Sequence, residues 1–490
     1  MADSTAIKDV SRLLSGSLVA KLFGVVALML FSRVLPKDEM AVFPAYLTLI
    51  GIPSLFLSFG AFQTLIRKLP SLVREDFAQA RSLAMTTSVV IVAGTVLVCL
   101  LALPFSDRIA VYFFRNAGEA WIVRLSLLGC VALTVSKITE FMMWGLARFG
   151  ETSLVQIIES IVRPSLTVTL YFACGLEGIV AGLVASQIVM ASISLWYVRD
   201  MLPGGWPSVY PLRRLFRDSF PFYIDNYLWY LKGDGDTLLV AFLGPAALAE
   251  YYIAKNLYTN VLIGWYSLDK VVLERLARLG QMSDAFRARA ADIHVRVSEC
   301  VVPAMMLVIA VAPYGLLVLA GARYVDATWP AVALLAVALI QFVNIAINRA
   351  VFVGLPGTYR LSTSAVEAAA VLIAALCLVP AEGIMGVALA RIVGPVAGGA
   401  FGYALLRQKF DLCLPWHPTL YALAASAPGT VTVLLFAPAA HGAGAAVLDA
   451  AGAGILWLAA FAVLSYALNR PAFDAAVSFL SRRYRAVFSL

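Results

Sequence analysis

The segment FPFYIDNYLWYLKGDGDTLLVAFLG, residues 220–244, decides the fold class of this chain. It is long enough to cross a bilayer as a helix, which takes about 20 mostly apolar residues. It nevertheless contains Asp225, Lys232 and Asp236, which fall on one face of a helix that turns by about 100° per residue. Because a charge that faces lipid is costly, we expect this face to lie against protein or a water-filled cavity.

Three further residues refine this prediction. Trp229 lies on the same helical face as the charges and places an aromatic ring beside them. Gly233 and Gly235 weaken the helix between the last two charges. The segment therefore predicts a membrane-spanning helix that can break locally at these glycines.

The composition of the whole chain agrees with this segment. Of 490 residues, 61% are hydrophobic and only 13% are charged, and the mean hydropathy is +0.87. A soluble domain is typically about 45–50% apolar and about 25% charged. Soluble enzymes and disordered proteins are therefore excluded. The six cysteines form no CxxC and the three histidines lie far apart, so neither a disulfide scaffold nor a metal site is expected.

We predict an all-α polytopic membrane protein, because lipid offers no hydrogen-bond partner for exposed backbone groups. Apolar runs of spanning length predict about fourteen transmembrane helices. Their predicted ranges are 12–34, 41–66, 83–104, 120–144, 153–174, 179–199, 219–243, 251–273, 295–320, 330–352, 362–380, 384–406, 418–437 and 447–468.

The distribution of Lys and Arg predicts the orientation. The termini and the loops on their side of the membrane hold twenty-three of these residues, and the opposite loops hold five. Positive charge accumulates on the cytoplasmic side, so both termini are predicted to be cytoplasmic. No cleavage site follows the first apolar run, which therefore reads as a helix rather than a removed signal.

The two halves of the chain repeat each other. At an offset of 208 residues, the tight turn at Leu35 matches the turn at Leu243, Arg67 matches Arg275, and Glu159 matches Glu367. At an offset of 205, Glu177-Gly178-Ile179 matches Glu382-Gly383-Ile384. Six helices in each half give both halves one orientation, related by a pseudo-twofold axis along the membrane normal.

This repeat predicts the domain organisation, a 6+6 arrangement of lobes with two C-terminal helices added. The expected parts are an N-lobe over 1–200, a cytoplasmic linker over 201–218, a C-lobe over 219–407, helices 13 and 14 within 408–468, and a cytoplasmic amphipathic tail over 469–490.

Charged and polar side chains inside the spans are candidates for function. We expect helices 1, 7, 8 and 10 to line one polar cavity between the halves. The candidate substrate-binding residues are Lys21, Lys232, Lys255, Arg349, Tyr258, Trp229 and Asn348. The candidate coupling or charge-balancing carboxylates are Asp225, Asp236, Glu140, Glu159 and Glu367.

These residue types suit an anionic, sugar-bearing substrate. Lys and Arg would hold phosphate oxygens, and Tyr and Trp would stack on sugar rings. The carboxylates would balance the charge of the cavity or carry a coupling H⁺ or Na⁺, and no other cofactor is expected. A structural alternative stays open, in which Lys137 with Glu140 and Glu159 with Arg163 only neutralise each other.

Several motifs resemble the multidrug/oligosaccharidyl-lipid/polysaccharide (MOP) exporter superfamily, and within it the Wzx-type oligosaccharide flippases. The opening SRLLSGSLVAKLFGVVALMLFSRVLPKDEM is similar to the first helix and turn of that family. Residues 236–244, DTLLVAFLG, resemble its D-x-L-L-x-x-x-L-G motif, with Tyr251 and Tyr252 following. A Gly-Ile-x-x-Gly element recurs at Gly178–Gly182 and, one residue tighter, at Gly383–Gly386.

The resemblance implies a function in the bacterial inner membrane. Such a protein flips undecaprenyl-pyrophosphate-linked repeat units from the cytoplasmic to the periplasmic leaflet by alternating access through a central cationic cavity. The product would serve O-antigen or exopolysaccharide biosynthesis, with the polymerase and export machinery as expected partners. Lys21 and Lys255 fit basic positions of the family, although both are Lys here where the family has Arg.

Two other functions remain as alternatives. An ion-coupled drug antiporter of the same superfamily would usually have twelve helices and an acidic cavity. A membrane-embedded glycosyltransferase or polymerase would need large extracytoplasmic loops with catalytic groups, and the loops here are short. The sequence therefore favours a transporter over an enzyme.

Overall fold

The computed structural model describes residues 22–146, 148–201, 210–277, 279, 283–436 and 443–468. Within those ranges the chain is helical and contains no strand, which confirms the predicted all-α fold. Lys21 and the tail 469–490 were predicted to be functional and amphipathic, respectively, and both lie outside the described residues.

The chain divides into two compact units, unit 1 over Met1–Tyr252 and unit 2 over Ile253–Leu490. Unit 1 contains α1 (Leu22–Val34), α2 (Lys37–Met40), α3 (Val42–Leu57), α4 (Ala61–Glu75), α5 (Phe77–Ala102), α6 (Ser106–Phe114), α7 (Ala120–Gly145), α8 (Phe149–Cys174), α9 (Leu176–Tyr197), α10 (Leu212–Lys232) and α11 (Asp236–Ala241). The next helix, α12 (Pro245–Ala277), starts in unit 1 and continues into unit 2.

Unit 2 contains the remaining helices. They are α13 (Asp284–Ala320), α14 (Thr328–Val343), α15 (Ile345–Gly354), α16 (Gly357–Phe410), α17 (His417–Leu435) and α18 (Ala443–Leu468). Short 3₁₀ helices occur in both units. Unit 1 has them at Leu103–Phe105, Ala117–Glu119 and Arg199–Met201, and unit 2 has one at Ala322–Ala327.

Ten helices of the described residues are long and apolar enough to cross a membrane. One of them, α16, is 54 residues long and bends at Gly383, where φ is 55° and ψ is −127°. It therefore covers two predicted spans, 362–380 and 384–406. The total of fourteen spans and the lobe boundaries stay predictions.

The second predicted span, 41–66, is two helices instead of one. Phe59 and Gly60 both have a positive φ, 45° and 72°, and they separate α3 from α4. A Cβ atom on Gly60 would lie 2.3 Å from the carbonyl oxygen of Ser219. Only glycine at position 60 therefore allows α10 to approach this corner so closely. The helix break thus creates the contact between α4 and α10.

The seventh predicted span, 219–243, is broken at the predicted place. α10 ends at Lys232, and α11 begins at Asp236 after Gly233 and Gly235. The start differs from the prediction, because α10 begins at Leu212 inside the predicted linker 201–218. Arg213, Arg214 and Arg217, which fall in the predicted linker, therefore lie in the first turns of the same helix.

The turn before α9 recurs inside α16, and its register corrects part of the predicted repeat. Gly175 and Gly383 share an unusual backbone conformation, with φ near +60° and ψ near −130°. A Cβ atom on Gly178 would lie 1.8 Å from the carbonyl oxygen of Leu170, and one on Gly386 would lie 2.3 Å from that of Leu378. All three correspondences are 208 residues apart, so 208, and not the predicted 205, is the structural offset for this element.

The two C-terminal helices pack on α13 within unit 2. The hydroxyl of Thr430 on α17 donates to the carbonyl of Met306 at 3.1 Å and accepts from the indole of Trp457 on α18 at 2.9 Å. Nearer the start of α13, the hydroxyls of Ser298 and Thr419 lie 2.6 Å apart. Buried polar side chains thus join these helices, as expected where apolar contact alone gives little specificity in lipid.

Candidate functional site

One face of α12 carries polar contacts to α14, α15 and α16. Tyr258 and Asp269 are eleven residues apart, which is three helical turns, so both point to the same side. Tyr258 donates its hydroxyl to the side-chain oxygen of Gln341 on α14 at 3.3 Å. Asp269 contacts Arg349 on α15, a little further along the chain from Gln341. The face of α12 therefore runs alongside α14 and α15.

The first of these contacts includes a buried arginine, and we call Tyr258, Gln341 and Arg391 the Arg391 group. Arg391 on α16 is 5% exposed, and its guanidinium donates to the hydroxyl of Tyr258 at 3.2 Å. Its guanidinium carbon lies 4.8 Å from the centroid of the Tyr258 ring, a cation–π geometry. The group thus holds a cation at a fixed place within a membrane-spanning helix.

The second contact is a bidentate ion pair between Arg349 and Asp269. Both guanidinium–carboxylate hydrogen bonds are formed, and the Asp269 side chain is 9% exposed. The side chain of Arg349 also lies over the ring of Phe352, 5.3 Å from its centroid. Arg349, predicted to bind substrate, is therefore neutralised by a carboxylate and oriented by an aromatic ring.

The other predicted residues of unit 2 lie on α12, α15 and α16, the helices that also carry Tyr258, Arg349 and Arg391. Lys255 is half-buried and lies one helical turn before Tyr258, whereas Asn348 is exposed on α15. Glu367 is half-buried on α16, and its Cβ atom lies 3.0 Å from the place of a Cβ on Gly398. This glycine lets the two halves of α16 approach each other at the carboxylate.

Asp236 is the most buried of the predicted carboxylates in unit 1 whose side chains the structure describes. It is 4% exposed and accepts a hydrogen bond of 2.6 Å from the hydroxyl of Tyr251. The hydroxyl of Thr237 lies 3.2 Å from its second oxygen. Because hydrogen bonds replace its hydration, the carboxylate is held in a defined position at the start of α11.

The rest of the predicted stripe lies on α10. Lys232 is half-buried and ends the helix, and Trp229 is 48% exposed. Asp225 is on the same helix, but its side chain lies outside the described residues. Because the helix stops between Lys232 and Asp236, a single helical face does not connect all the predicted charges.

Glu140 and Glu159 are both engaged in ion pairs in unit 1. Lys137 contacts Glu140 at 2.8 Å, and the side-chain amide of Gln156 donates to Glu140 at 3.4 Å. Glu159 pairs with Arg163 one turn further along α8. The mutual neutralisation considered from the sequence is therefore what the structure contains at both carboxylates.

Arg391, Gln341 and Asp269 form central contacts that the predicted site did not include. Arg391 had a usable signal, because it is a basic residue in the middle of an apolar run. Its partner on α12 could not be identified, since 133 residues separate the two in sequence. Among the described residues, no group of three or more His, Cys, Asp or Glu could hold a metal ion.

Solved structures of membrane transporters share this fold. The structure "Lipid II flippase MurJ, inward closed conformation" is 13% identical, with a TM-score of 0.74 over 94% of this chain and 99% of that chain. An inward-facing multidrug resistance MATE family transporter of the MOP superfamily is 14% identical, with a TM-score of 0.62 over 80% of this chain and 94% of that one. A MATE structure in complex with MaL6 gives a TM-score of 0.57 at 15% identity, over 82% of this chain and 96% of that chain.

The chain thus has a multi-pass membrane fold that is shared with the MurJ and MATE transporter structures. A family model described as "Polysaccharide biosynthesis protein" matches residues 6–272, more than half of the chain. The protein belongs to this Wzx-like family, which confirms the resemblance noted in the sequence. Among curated proteins, no sequence matches this chain.

Proposed function

We propose that this protein moves undecaprenyl-pyrophosphate-linked oligosaccharide repeat units from the cytoplasmic to the periplasmic leaflet of the bacterial inner membrane. The repeat units would be used to build cell-surface polysaccharide such as O-antigen or exopolysaccharide. Transport would proceed by alternating access, without a catalytic step.

The observation that carries this proposal is the Arg391 group. A buried guanidinium lies against the hydroxyl and the ring of Tyr258, and Lys255 lies one helical turn before Tyr258 on α12. Such cations favour the oxygens of a pyrophosphate, and Arg can engage two of them at once. A drug antiporter that carries cations would be disfavoured by the same charges.

The comparisons support the same substrate class. The family description names polysaccharide biosynthesis, and MurJ is named for flipping lipid II. A lipid-linked saccharide is a substrate that is consistent with both descriptions. The opening motif of this chain resembles the oligosaccharide flippases, so an oligosaccharide repeat unit is the substrate that we propose.

We further propose Asp236 as the carboxylate that carries a coupling H⁺ or Na⁺. Asp236 is buried at the start of α11, and it accepts a hydrogen bond from the hydroxyl of Tyr251. A hydroxyl donor can remain in place when the carboxylate gains a proton. The polymerase and export machinery that consume the repeat units are the proposed partners.

The test is deletion of the gene in its native host, followed by complementation with the variants Lys21→Ala, Lys255→Ala, Arg391→Gln and Asp236→Asn. We expect deletion to trap lipid-linked repeat units in the cytoplasmic leaflet and to abolish surface polymer. Arg391→Gln is expected to restore less than about a tenth of the polymer, because it removes a charge-assisted phosphate contact. Each variant must be present in the membrane at the wild-type level.

A matched control is Arg407→Gln, which removes an exposed arginine at the end of the same helix and should complement fully. If repeat units never form in the deletion strain, the protein acts in synthesis and the flippase proposal is wrong. If surface glycans stay normal while drug sensitivity rises, the protein is an antiporter.

A further inference from the structure

A cleft in unit 1 lies between α4 and α10, at the corner made by the break in the second predicted span. Its volume is about 170 Å³, and it is lined by Thr64, Arg67, Lys68, Asp218 and Phe222. One water molecule needs roughly 10–15 Å³ of such space, so the cleft has room for a phosphate group. None of these residues belongs to the predicted substrate site.

The two walls of the cleft are joined by specific polar contacts. The hydroxyls of Thr64 and Ser219 are buried and 2.8 Å apart. The side-chain amide of Gln63 donates to that of Asn226 at 3.0 Å. Because these contacts and the close approach at Gly60 fix the walls, the charged side chains are presented at defined positions.

The charges of the cleft favour an anion. Asp218 accepts the ion pair from Lys68, and Arg217 lies 3.9 Å from its other oxygen. Arg67 is exposed and forms no ion pair within the part of the chain that the structure describes. Two cations thus line the cleft and a third lies beside it, with one carboxylate among them.

The position of the cleft along the membrane agrees with this charge. Arg67 and Lys68 lie in α4, just after the predicted span 41–66, on the side of the membrane that holds most of the Lys and Arg and is predicted to be cytoplasmic. Arg213 and Arg214 precede the cleft on the first turn of α10. Phosphate groups of lipids lie at this level of a bilayer, where basic side chains attract them.

We propose that this cleft is a binding site for a lipid-linked phosphate or pyrophosphate, with Arg67 and Lys68 as its ligands and Asp218 as a competing internal anion. The inference rests on the proposed function for the source of the pyrophosphate. A guanidinium at Arg67 can hold two phosphate oxygens, and the Lys68 ammonium acts as a point charge. When phosphate enters, Lys68 is shared with it, and its attraction to Asp218 on the opposite wall weakens.

This arrangement gives the cleft a role before transport. A pyrophosphate captured at the cytoplasmic surface loosens the charged contact between α4 and α10, while the buried Thr64–Ser219 contact remains. Since a partly exposed ion pair is weak, phosphate can compete with it. Binding of the substrate is thereby coupled to the strength of the contact between α4 and α10.

The experiment measures binding of inorganic pyrophosphate to the purified full-length protein in detergent micelles that contain no lipid. We expect Arg67→Gln to weaken binding about tenfold or more, the loss that corresponds to one charge-assisted hydrogen bond. Asp218→Asn should strengthen binding by about threefold to tenfold, because Lys68 loses its internal partner. A gain of affinity cannot come from misfolding.

The matched control is Arg74→Gln, which removes an exposed arginine two turns further along α4 and outside the cleft. It should bind pyrophosphate as the wild type does. Arg391→Gln, measured in parallel, identifies any pyrophosphate that binds in unit 2. If Arg67→Gln and Asp218→Asn both bind like the wild type, the cleft is not a phosphate site and the inference is wrong.

A second measurement distinguishes the two sources of the phosphate, the headgroups of the bilayer and the transported lipid. In nanodiscs of acidic phospholipid, a site for bilayer headgroups would be filled, and the Arg67-dependent pyrophosphate binding would disappear. Binding that persists there assigns the site to the transported lipid. If the deletion strain traps repeat units but the variants bind pyrophosphate like the wild type, only the inference about the cleft is wrong. If the affinities change as expected but the deletion strain traps no repeat units, only the flippase proposal is wrong.

Discussion

Arg349 and Asp269 form an ion pair within unit 2. Stability depends on the two charges being paired, and neither charge is stabilising without its partner. Both hydrogen bonds of the fork are present, and the carboxylate is 9% exposed. Removing one partner of such a pair leaves an uncompensated buried charge, at a cost of about 3–5 kcal/mol. Replacing both by apolar side chains removes the charge and much of the cost.

We therefore predict that Arg349→Met and Asp269→Leu each lower the melting temperature of the purified protein by several degrees. The double variant should be more stable than either single variant, which a thermal unfolding series in one detergent would measure. Arg407→Met, at an exposed position, is the control and should change little. Single and double effects that simply add would contradict a pairwise coupling.

At the scale of elements, the glycines of the two recurrent turns decide how closely the chain can fold back. The Cβ of any other residue at Gly178 or Gly386 would meet a backbone carbonyl on the preceding helical segment. Backbone cannot yield as the end of a side chain can, so the elements would have to separate. Close packing through small residues is the usual way in which membrane helices gain contact area.

Gly178→Ala and Gly386→Ala are predicted to destabilise the protein by about 1–3 kcal/mol each, through overpacking against backbone. The measurement is the fraction of protein that remains monodisperse after heating in detergent. Gly150→Ala serves as the control, because nothing lies within 4 Å of a Cβ there. An equal loss of stability in all three variants would mean that close approach to backbone is not its cause, since Ala by itself favours a helix over Gly.

For the molecule as a whole, orientation in the membrane rests on the asymmetry of Lys and Arg. The bias of twenty-three residues to five predicts that both termini face the cytoplasm. The loop at Ala117 would then be periplasmic and the start of α13 cytoplasmic. Both places are exposed, and the side chain of Asp284 is 96% exposed.

Labelling with a membrane-impermeant thiol reagent tests this orientation. In a background without the native cysteines, Ala117→Cys should be labelled in cells with a permeabilised outer membrane but an intact inner membrane. Asp284→Cys should be labelled only after the inner membrane is opened. The reverse pattern would invert the topology and move the Arg67 cleft to the periplasmic face.

The helical segments and their approximate places followed from the sequence because hydropathy is a local property. Runs near the length of a membrane span predicted helices at most of the observed places, and Gly233 and Gly235 predicted the break between α10 and α11. The short helix α6 lies outside every predicted span. The break at Phe59 and Gly60 was missed, since Phe59 has a conformation that its residue type does not favour.

The all-helical, multi-pass fold followed from the sequence, because burial in lipid dictates composition and helix length. The polysaccharide biosynthesis family followed from the motifs of the chain and the matching family model. The pairing of the charged side chains followed only from the packing of the helices. This packing joined Arg391 to Tyr258 and Arg349 to Asp269, brought Lys68 to Asp218, and set the repeat of the glycine turns at 208 residues. These partners are separated by many tens of residues, so only the packing of helices against one another can select them.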